Sequence, residues 1–487
     1  MTVAPFLPIL LLAGGAVLAF TVGRAVRRGG DASAATAVVV LGASFVSFLL
    51  LGGSSGSTPA YAPAGEVTLR VDGLGIFLGL VGTGLGLAVA LYSFAYMRHE
   101  RERPTYNALL LLLIAGIAGI ALAGDLFNLY VFFELMAVAS YALVAFHRER
   151  AEAVEAGMKY VIISGTGSAI ALLGIGFVYL GAGTLDLASL STSALPRDLA
   201  LLAAGLLVVG FGVKAAVVPM HTWLPDAHAA APSGISAMLS GIVIQSGLLA
   251  MVRALAIFGV GPSSAFSYGL LLAFLAVLTM TVGNLIAMHQ RDIKRLLAYS
   301  SIAQMGYILL GLGIGLEYGI AIALVGGLFH ILNHALMKGG AFLAAGVLQD
   351  TYGTRDLDKL RGAGRRIPAA GLTFALFALG LAGVPPTAGF LSKLFIATGA
   401  VQAGGALGVF FVVALIANSV LSLAYYVPAL TGLLARNGTR DSPRASWLLT
   451  GPVIAFAVLV LLLGVWPDPA LRLIEDAART LLGGAQT

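Results

Sequence analysis

Apolar stretches of roughly 20 residues, the length that crosses a bilayer core as a helix, recur along almost the whole chain. They predict helices near 3–23, 33–53, 73–97, 107–123, 126–147, 158–181, 199–219, 234–257, 268–288, 296–315, 318–347, 369–387, 403–429 and 449–466, fourteen spans in all. The first is too long for a signal-peptide core and has no small-residue cleavage site before the arginines that follow, so it reads as a retained span.

Charge tests that count, because each span gained or lost flips the side of every later connection. With the N-terminus outside, the cytoplasmic connections carry Arg24, Arg27, Arg28, Arg98, Arg101, Arg103, Arg148, Arg150, Lys159, Arg291, Lys294, Arg295, Arg355, Lys359, Arg361, Arg365, Arg366, Arg436, Arg440 and Arg444. The opposite side holds only Arg70, Arg197, Arg253, Arg472 and Arg479. Cytoplasmic loops accumulate Lys and Arg, so the asymmetry supports fourteen spans in a cell inner membrane, both termini on the outer side.

Composition narrows the class. With 59% hydrophobic and 10% charged residues and a mean hydropathy of +0.97, the chain is no soluble globular protein, in which about 25% would be charged. It reads as an all-α polytopic membrane protein forming one membrane domain over 1–487. Its net charge of +6 reports loop arginines facing the lipid bilayer and gives no reason to expect nucleic acid. The absence of cysteine excludes disulfides and iron–sulfur clusters on this chain, so redox chemistry would belong to partner subunits. The Gly-, Ser- and Pro-rich stretch 53–72 reads as an external loop. The tail, 467–487, is amphipathic, with Leu471, Ile474, Ala478 and Leu482 on one face, suited to the membrane surface or to a neighbouring helix.

Against this apolar background, four ionisable residues stand alone. Glu134 is the one carboxylate between Asp125 and Glu149, and Lys214 the one charge between Asp198 and Asp226; Lys338 and Lys393 are similarly isolated. Each costs about 2.5–3.5 kcal/mol to insert, which points to an ion or proton path. Two of them adjoin helix breakers. One run is Lys214-Ala-Ala-Val-Val-Pro219-Met-His221-Thr-Trp-Leu-Pro225-Asp226-Ala-His228, the other Gly383-Val-Pro385-Pro386-Thr-Ala-Gly389-Phe-Leu-Ser-Lys393. Proline removes a backbone donor, and freed backbone groups at membrane depth are tolerated only in protein or beside water. Discontinuous helices of this kind build ion sites in transporters; a simple proline kink is the plainer reading of either break alone.

His330, His334 and Lys338 recur at intervals of four, stacking on one helix face about 6 Å apart. Each can take and release a proton, which suits a relay through intervening waters. The i, i+4 histidines also match helical zinc ligands, but Ile, Leu and Asn lie between them and a lysine follows one turn on, so no metal and no cofactor is expected.

These segments together resemble a known family. Asp125-Leu-Phe-Asn-Leu-Tyr-Val-Phe-Phe-Glu134-Leu-Met, the Lys214–His228 run, Arg291-Asp-Ile-Lys-Arg-Leu-Leu-Ala-Tyr-Ser-Ser-Ile-Ala-Gln-Met-Gly-Tyr307, the histidine ladder and Gly389-Phe-Leu-Ser-Lys393 are similar to motifs of the antiporter-like subunits shared by respiratory complex I, Mrp cation/proton antiporters and membrane-bound hydrogenases. The resemblance covers roughly 70–430. Residues 125–136 and the lysine at 393 look most like the D-type subunit of the Mrp antiporter, whereas Ala231-Pro-Ser-Gly-Ile-Ser-Ala-Met-Leu-Ser-Gly241 looks hydrogenase-like.

The resemblance implies two inverted five-helix repeats, 107–257 and 268–429, each a half-channel with one broken helix. It implies Glu134 paired with Lys214 in the first, His330, His334 and Lys338 along the centre, and Lys393 at the exit side of the second; His221 and His228 lie on the same expected proton path. One position departs from the pattern: where many relatives carry a bridging lysine, this chain has Gln245, which holds water but carries no proton.

The function expected from the resemblance is proton translocation within a multisubunit Na+/proton antiporter, with protons and Na+ transported and other subunits as partners. The chain itself is expected to be a transporter subunit without an active site. A proton-pumping subunit of a redox complex is the nearest alternative, and an assembly scaffold with its path interrupted at Gln245 is another.

Overall fold

The computed structural model describes residues 5–26, 29–54, 60–64, 67–190, 195–259, 267–437 and 446–483. Arg27, Arg28, Arg440 and Arg444 of the charge test and residues 484–487 of the tail lie outside these. Among the described residues, twelve helices are long and apolar enough to cross a membrane: α1 Leu7–Ala25, α2 Gly29–Ser54, α3 Gly73–Tyr96, α4 Arg103–Leu122, α5 Leu126–Val144, α6 Ala151–Ala182, α9 Ser233–Phe258, α10 Tyr268–Ala287, α11 Ile293–Tyr318, α12 Ala321–Tyr352, α15 Gly405–Leu433 and α16 Trp447–Val465. Two more crossings are made by pairs of shorter helices flanking a break, α7 Arg197–Lys214 with α8 Trp223–Ala230, and α13 Pro368–Ala382 with α14 Ala388–Ala403. Fourteen crossings result, as the hydrophobic pattern predicts, but the seventh runs past 219 to Ala230 and the twelfth past 387 to Ala403. In both cases the apolar run resumes beyond the prolines.

Burial orders the bundle. Helices α9, α11 and α12 are enclosed by protein nearly throughout, while α1, α2, α15 and α16 keep rows of exposed Val, Leu and Phe. An apolar surface of this kind is stable only against lipid or another membrane subunit. Small residues let the central helices approach closely: a Cβ at Gly306 would lie 2.6 Å from the Met280 backbone nitrogen, and one at Gly283 2.6 Å from that of Ala303, as small-residue packing in membranes requires.

A local motif appears twice. Asp125 caps α5 by accepting from Asn128 N at 2.7 Å, and the strand-like segment around it bridges to Asp186 after α6. Asp292 caps α11 by accepting from Lys294 N at 2.8 Å, and its segment bridges to Asp356 after α12. Both bridges use the sequence Gly-Thr-x-Asp-Leu-x-x-Leu, at Gly183–Leu190 and Gly353–Leu360. In each the glycine is left-handed (φ 68° and 66°) and the threonine hydroxyl accepts from the aspartate N at 3.2 Å. Helices α6 and α12 form the sixth and eleventh crossings, an odd separation, so the copies sit at opposite ends of the bundle.

One connection differs from expectation, and the tail takes one of its two expected places. The 53–72 stretch is not all loop: Ala60–Ala64 (β1) and Val67–Val71 (β2) form an antiparallel hairpin with Ala60 opposite Val71, and Leu69 bridges onward to Ala123. Val and Thr in β2 favour the pleat. The amphipathic tail forms α17, Asp468–Leu481, and docks on α3 and α12 with Ile474, Ala477, Ala478 and Leu481 buried. Nearby, the buried Asp72 carboxylate accepts from Arg253 at 2.7 and 2.9 Å and pairs with Arg70 at 2.8 Å, tying β2 and α3 to α9.

A candidate ion path

Helix α7 stops at Lys214 because the chain turns through Ala216, which is left-handed at φ 53°, towards Pro219, which offers no donor. The Lys214 side chain is fully buried. Its ammonium donates to the Tyr160 hydroxyl at 3.1 Å and lies over the rings of Tyr160 (4.5 Å), Tyr141 (4.6 Å), Phe133 (5.8 Å) and Trp223 (5.9 Å). Such cation–π contacts are worth about 0.5–2 kcal/mol each. Tyr160 stacks flat on Trp223 at 4.0 Å, and Trp223 Nε1 donates to Val213 O at 2.7 Å, so one indole braces both sides of the break. Gly247 of α9 leaves room for the lysine stem, since a Cβ there would meet Lys214 Cγ at 3.0 Å.

The direct Glu134–Lys214 pair implied by the family resemblance is not formed: the ion pairs within 4.0 Å do not include it. Glu134 is half-buried on α5, and its Oε1 is buried without a hydrogen-bond partner. The aromatic box, which contributes a hydroxyl donor–acceptor and four π faces, surrounds the lysine instead.

The second break is built differently. Helix α13 ends at Ala382, Gly383 turns left-handed at φ 88°, and α14 starts at Ala388 after Pro385 and Pro386. Lys393, on α14, reaches back to donate to Leu381 O at 2.8 Å, Ala382 O at 3.3 Å and Ser419 Oγ at 3.2 Å, with the Tyr307 ring 4.0 Å away. Two of its acceptors are terminal carbonyls of α13, where the helix dipole is negative. The charge is held without a carboxylate.

Between the breaks runs α12. His330 Nε2 meets Gln304 Oε1 at 2.9 Å, and Gln304 Nε2 donates to Leu381 O at 3.1 Å, the carbonyl that also accepts from Lys393. The amide orientation set by Leu381 puts the imidazole proton on Nε2. His330 Nδ1 faces Ser392 Oγ at 2.8 Å. One turn on, His334 Nδ1 accepts from Gln245 Nε2 at 2.6 Å, while Gln245 also donates to Ile331 O at 3.2 Å. The His330 and His334 ring centroids are 6.5 Å apart. Lys338 donates to Leu297 O at 2.8 Å and Ser300 Oγ at 2.6 Å. A π-helical turn at Leu239–Val243 lies one residue before Gln245 and adjusts its register, a distortion common at functional sites.

The structure thus brings Gln245, His330, His334 and Lys393 into one neighbourhood and holds Lys338 one turn further along. His228, on α8, is fully buried, its two ring nitrogens lack partners, and it stacks on Phe342 of α12 at 4.5 Å. His221 lies half-buried inside the first break. Tyr160, Tyr141, Trp223, Gln304, Ser392, Ser300 and Ser419 were not singled out from sequence, although Trp223, Ser300, Gln304 and Ser392 fall inside the motifs. Lys294, assigned there to a cytoplasmic connection, is 1% exposed and donates to Ala231 O at 2.5 Å. Its neighbours Asp292 and Arg295 made it look like a loop residue.

Residues 123–419 match the family described as NADH:quinone oxidoreductase/Mrp antiporter, TM, and residues 64–107 match the N-terminus of complex I chain 5. The chain belongs to this antiporter family. Subunit N of the F(420)H(2) dehydrogenase of Methanosarcina mazei is 34% identical over 431 residues, 85% of each chain. The D-type subunit of the Na(+)/H(+) antiporter of Bacillus subtilis is 33% identical over 428 residues, 86% of this chain and 84% of its own. A chain of the archaeal membrane-bound sulfane sulfur reductase superposes with a TM-score of 0.89 at 30% identity, covering 98% of this chain and 97% of that one. The antiporter-family chain is therefore a multi-pass, transporter-type membrane subunit; its similarity to the antiporter relative does not exceed its similarity to the dehydrogenase relative.

Proposed function

We propose that the chain translocates protons as one subunit of a multisubunit energy-converting membrane complex. On this reading Glu134, Lys214, His221 and His228 serve one half-channel, 107–257, and Lys393 serves another, 268–429, joined through Gln245, His334, His330 and Lys338. The observation that carries it is the buried row of titratable groups His334, His330 and Lys393, each fixed by hydrogen bonds: His334 to Gln245, His330 to Gln304, and Gln304 and Lys393 both to the Leu381 carbonyl. A core without transport duty would fill this volume with apolar side chains, since buried polar groups in lipid are expensive.

On this reading waters carry the proton between the two imidazoles and on to Lys393, while Gln245, Gln304 and the Leu381 carbonyl hold the titratable groups in place. Glu134 acts on Lys214 across space: its negative charge favours the ammonium, and neutralising it releases the lysine proton towards Gln245 and the histidines. The membrane potential contributes about 2.3 kcal/mol per charge per 100 mV. A redox-driven complex is the favoured home, on the likeness to a sulfane sulfur reductase subunit and to a dehydrogenase subunit. A Na+/proton antiporter is the second reading, carried by the likeness to the Bacillus subtilis antiporter subunit.

The test is vesicle acidification by the assembled complex in its own inner membrane, with the termini on the outer side. His334→Ala and Lys338→Ala are expected to abolish proton movement while the complex remains intact on affinity isolation. Undiminished pumping in both would refute the relay.

A further inference from the structure

A cavity of about 470 Å3 opens beside the ends of α10, α11 and α15, lined by Met288, Gln290, Arg291, Asp358, Arg361 and Tyr425. Arg291 and Asp358 at its rim are 86% and 78% exposed, so the cavity meets solvent on the face that carries the 355–366 loop. Tyr425 lines it, and the adjacent Tyr426, also buried, packs behind Tyr425 with ring centroids 4.5 Å apart. Their hydroxyls lead to different lysines. Tyr426 shares a short hydrogen bond with Ser300, whose oxygen accepts from Lys338 at 2.6 Å. Tyr425 donates to Asn284 Oδ1 at 3.0 Å, and Asn284 Nδ2 donates to Asn418 at 3.1 Å. Beside Asn284 lies the buried Tyr307 side chain, next to Ser419 and beneath Lys393.

We propose that this cavity is an aqueous mouth through which Lys338 exchanges protons with the face bearing the 355–366 loop, with the Tyr425–Tyr426 pair as its gate. The proposal rests on the proton-carrying reading above and adds a side door to it. The Tyr426 branch contains only hydroxyls and an amine, each able to give one proton while taking another. Lys338 passes an ammonium proton to Ser300 Oγ as Ser300 passes its own to Tyr426; Tyr426 passes its own to Tyr425 as the Tyr425 hydroxyl turns from Asn284 Oδ1 and gives its proton to cavity water. Lys338 ends neutral, both phenols and the serine end unchanged, and water has gained one proton. The Asn284 branch contains amides, which do not relay protons in this way, so it holds Tyr425 and Lys393 in position.

Because the chain has no cysteine, access can be read without measuring transport. Ser300→Cys in the full complex, in sealed vesicles of each orientation, is treated with a small water-soluble thiosulfonate, and the mass shift of the chain is followed; Gln290→Cys at the rim is the control. Labelling of position 300 from the 355–366 side, slowed about tenfold or more when Ala424→Trp fills the cavity, is the expected result. Labelling only from the other side, a rate indifferent to the tryptophan, or no labelling while position 290 reacts would each overturn the proposal. These outcomes do not depend on whether the complex pumps. In vesicles that do pump, Tyr426→Phe is expected to lower the rate about tenfold, and an unchanged rate would also count against the mouth.

Discussion

Lys214 and Lys393 both stand beside a break in a membrane-crossing helix, yet their ammonium groups meet different surroundings. Lys393 has three oxygen acceptors, two of them carbonyls that the break itself frees. Lys214 has one hydroxyl and four aromatic faces, with the carboxylate of Glu134 outside contact distance. Carbonyls at a helix C-terminus favour the ammonium form. Lys214 has a single oxygen acceptor, so a remote charge weighs more on whether its proton stays. On the proposed proton path, the first site is the more readily switched and the second holds its proton more firmly.

Removing each lysine breaks the comparison most strongly. Lys214→Ala is expected to lower proton translocation by about 100-fold or more in a complex that still assembles, because an apolar methyl leaves only the Tyr160 hydroxyl to satisfy. Lys393→Ala is expected to stop translocation and also to destabilise the chain, since the buried carbonyls of Leu381 and Ala382 lose a donor at about 1–3 kcal/mol each. Thermal unfolding of the isolated complex separates the two variants; equal stability would mean that the second break does not depend on its lysine.

Glu134→Gln sharpens the switching argument. It keeps the shape and removes the charge, so pumping is expected to fall about tenfold, the rate equivalent of one pKa unit. Assembly is expected to be unchanged. A variant that pumps at the full rate would detach Glu134 from Lys214.

How far the sequence foretold this arrangement depends on the kind of interaction. Hydrophobic run length reports crossing of the membrane, so all fourteen spans were legible, while the continuation of the seventh and twelfth beyond their prolines was not, because each half-helix alone is shorter than a span. Isolation of Lys214, Lys338 and Lys393 in apolar sequence made them visible. Tyr160, Ser300 and Ser419 are ordinary residues of membrane helices and gain meaning only from the distance to a lysine. Asp292 and Arg295 disguised Lys294 by giving it a loop-like neighbourhood. The doubled Gly-Thr-x-Asp-Leu-x-x-Leu was readable at Gly183 and Gly353, and it recurs with the same left-handed glycine and threonine-to-aspartate hydrogen bond.

Gln245→Leu tests whether the two sites communicate through α12. Leucine has a similar size but cannot donate to His334 Nδ1, leaving that nitrogen buried and unpaired at about 1–3 kcal/mol. Pumping driven through Lys214 is expected to fall about tenfold, whereas labelling of Ser300→Cys from the cavity stays as it was. Unchanged pumping would mean that each half works alone.

The smallest expected effect concerns the backbone of the two breaks. Ala216 and Gly383 both adopt positive φ, 53° and 88°, a region that costs a residue with a Cβ about 1–2 kcal/mol. The first break therefore carries strain that the second avoids. Ala216→Gly would relieve it, but glycine loses more freedom on folding, about 0.5–1 kcal/mol, so the net change in thermal stability is expected to be near zero. Gly383→Ala has no such compensation: it adds the left-handed penalty, and its Cβ would stand 3.1 Å from Lys393 Cδ. The lysine stem must then shift, and its hydrogen bonds to Leu381 and Ala382 lengthen. A lower unfolding temperature for Gly383→Ala, with slower pumping, and no change for Ala216→Gly is the expected pair of results. The opposite order would show that strain at the first break, rather than the aromatic box, keeps Lys214 in place.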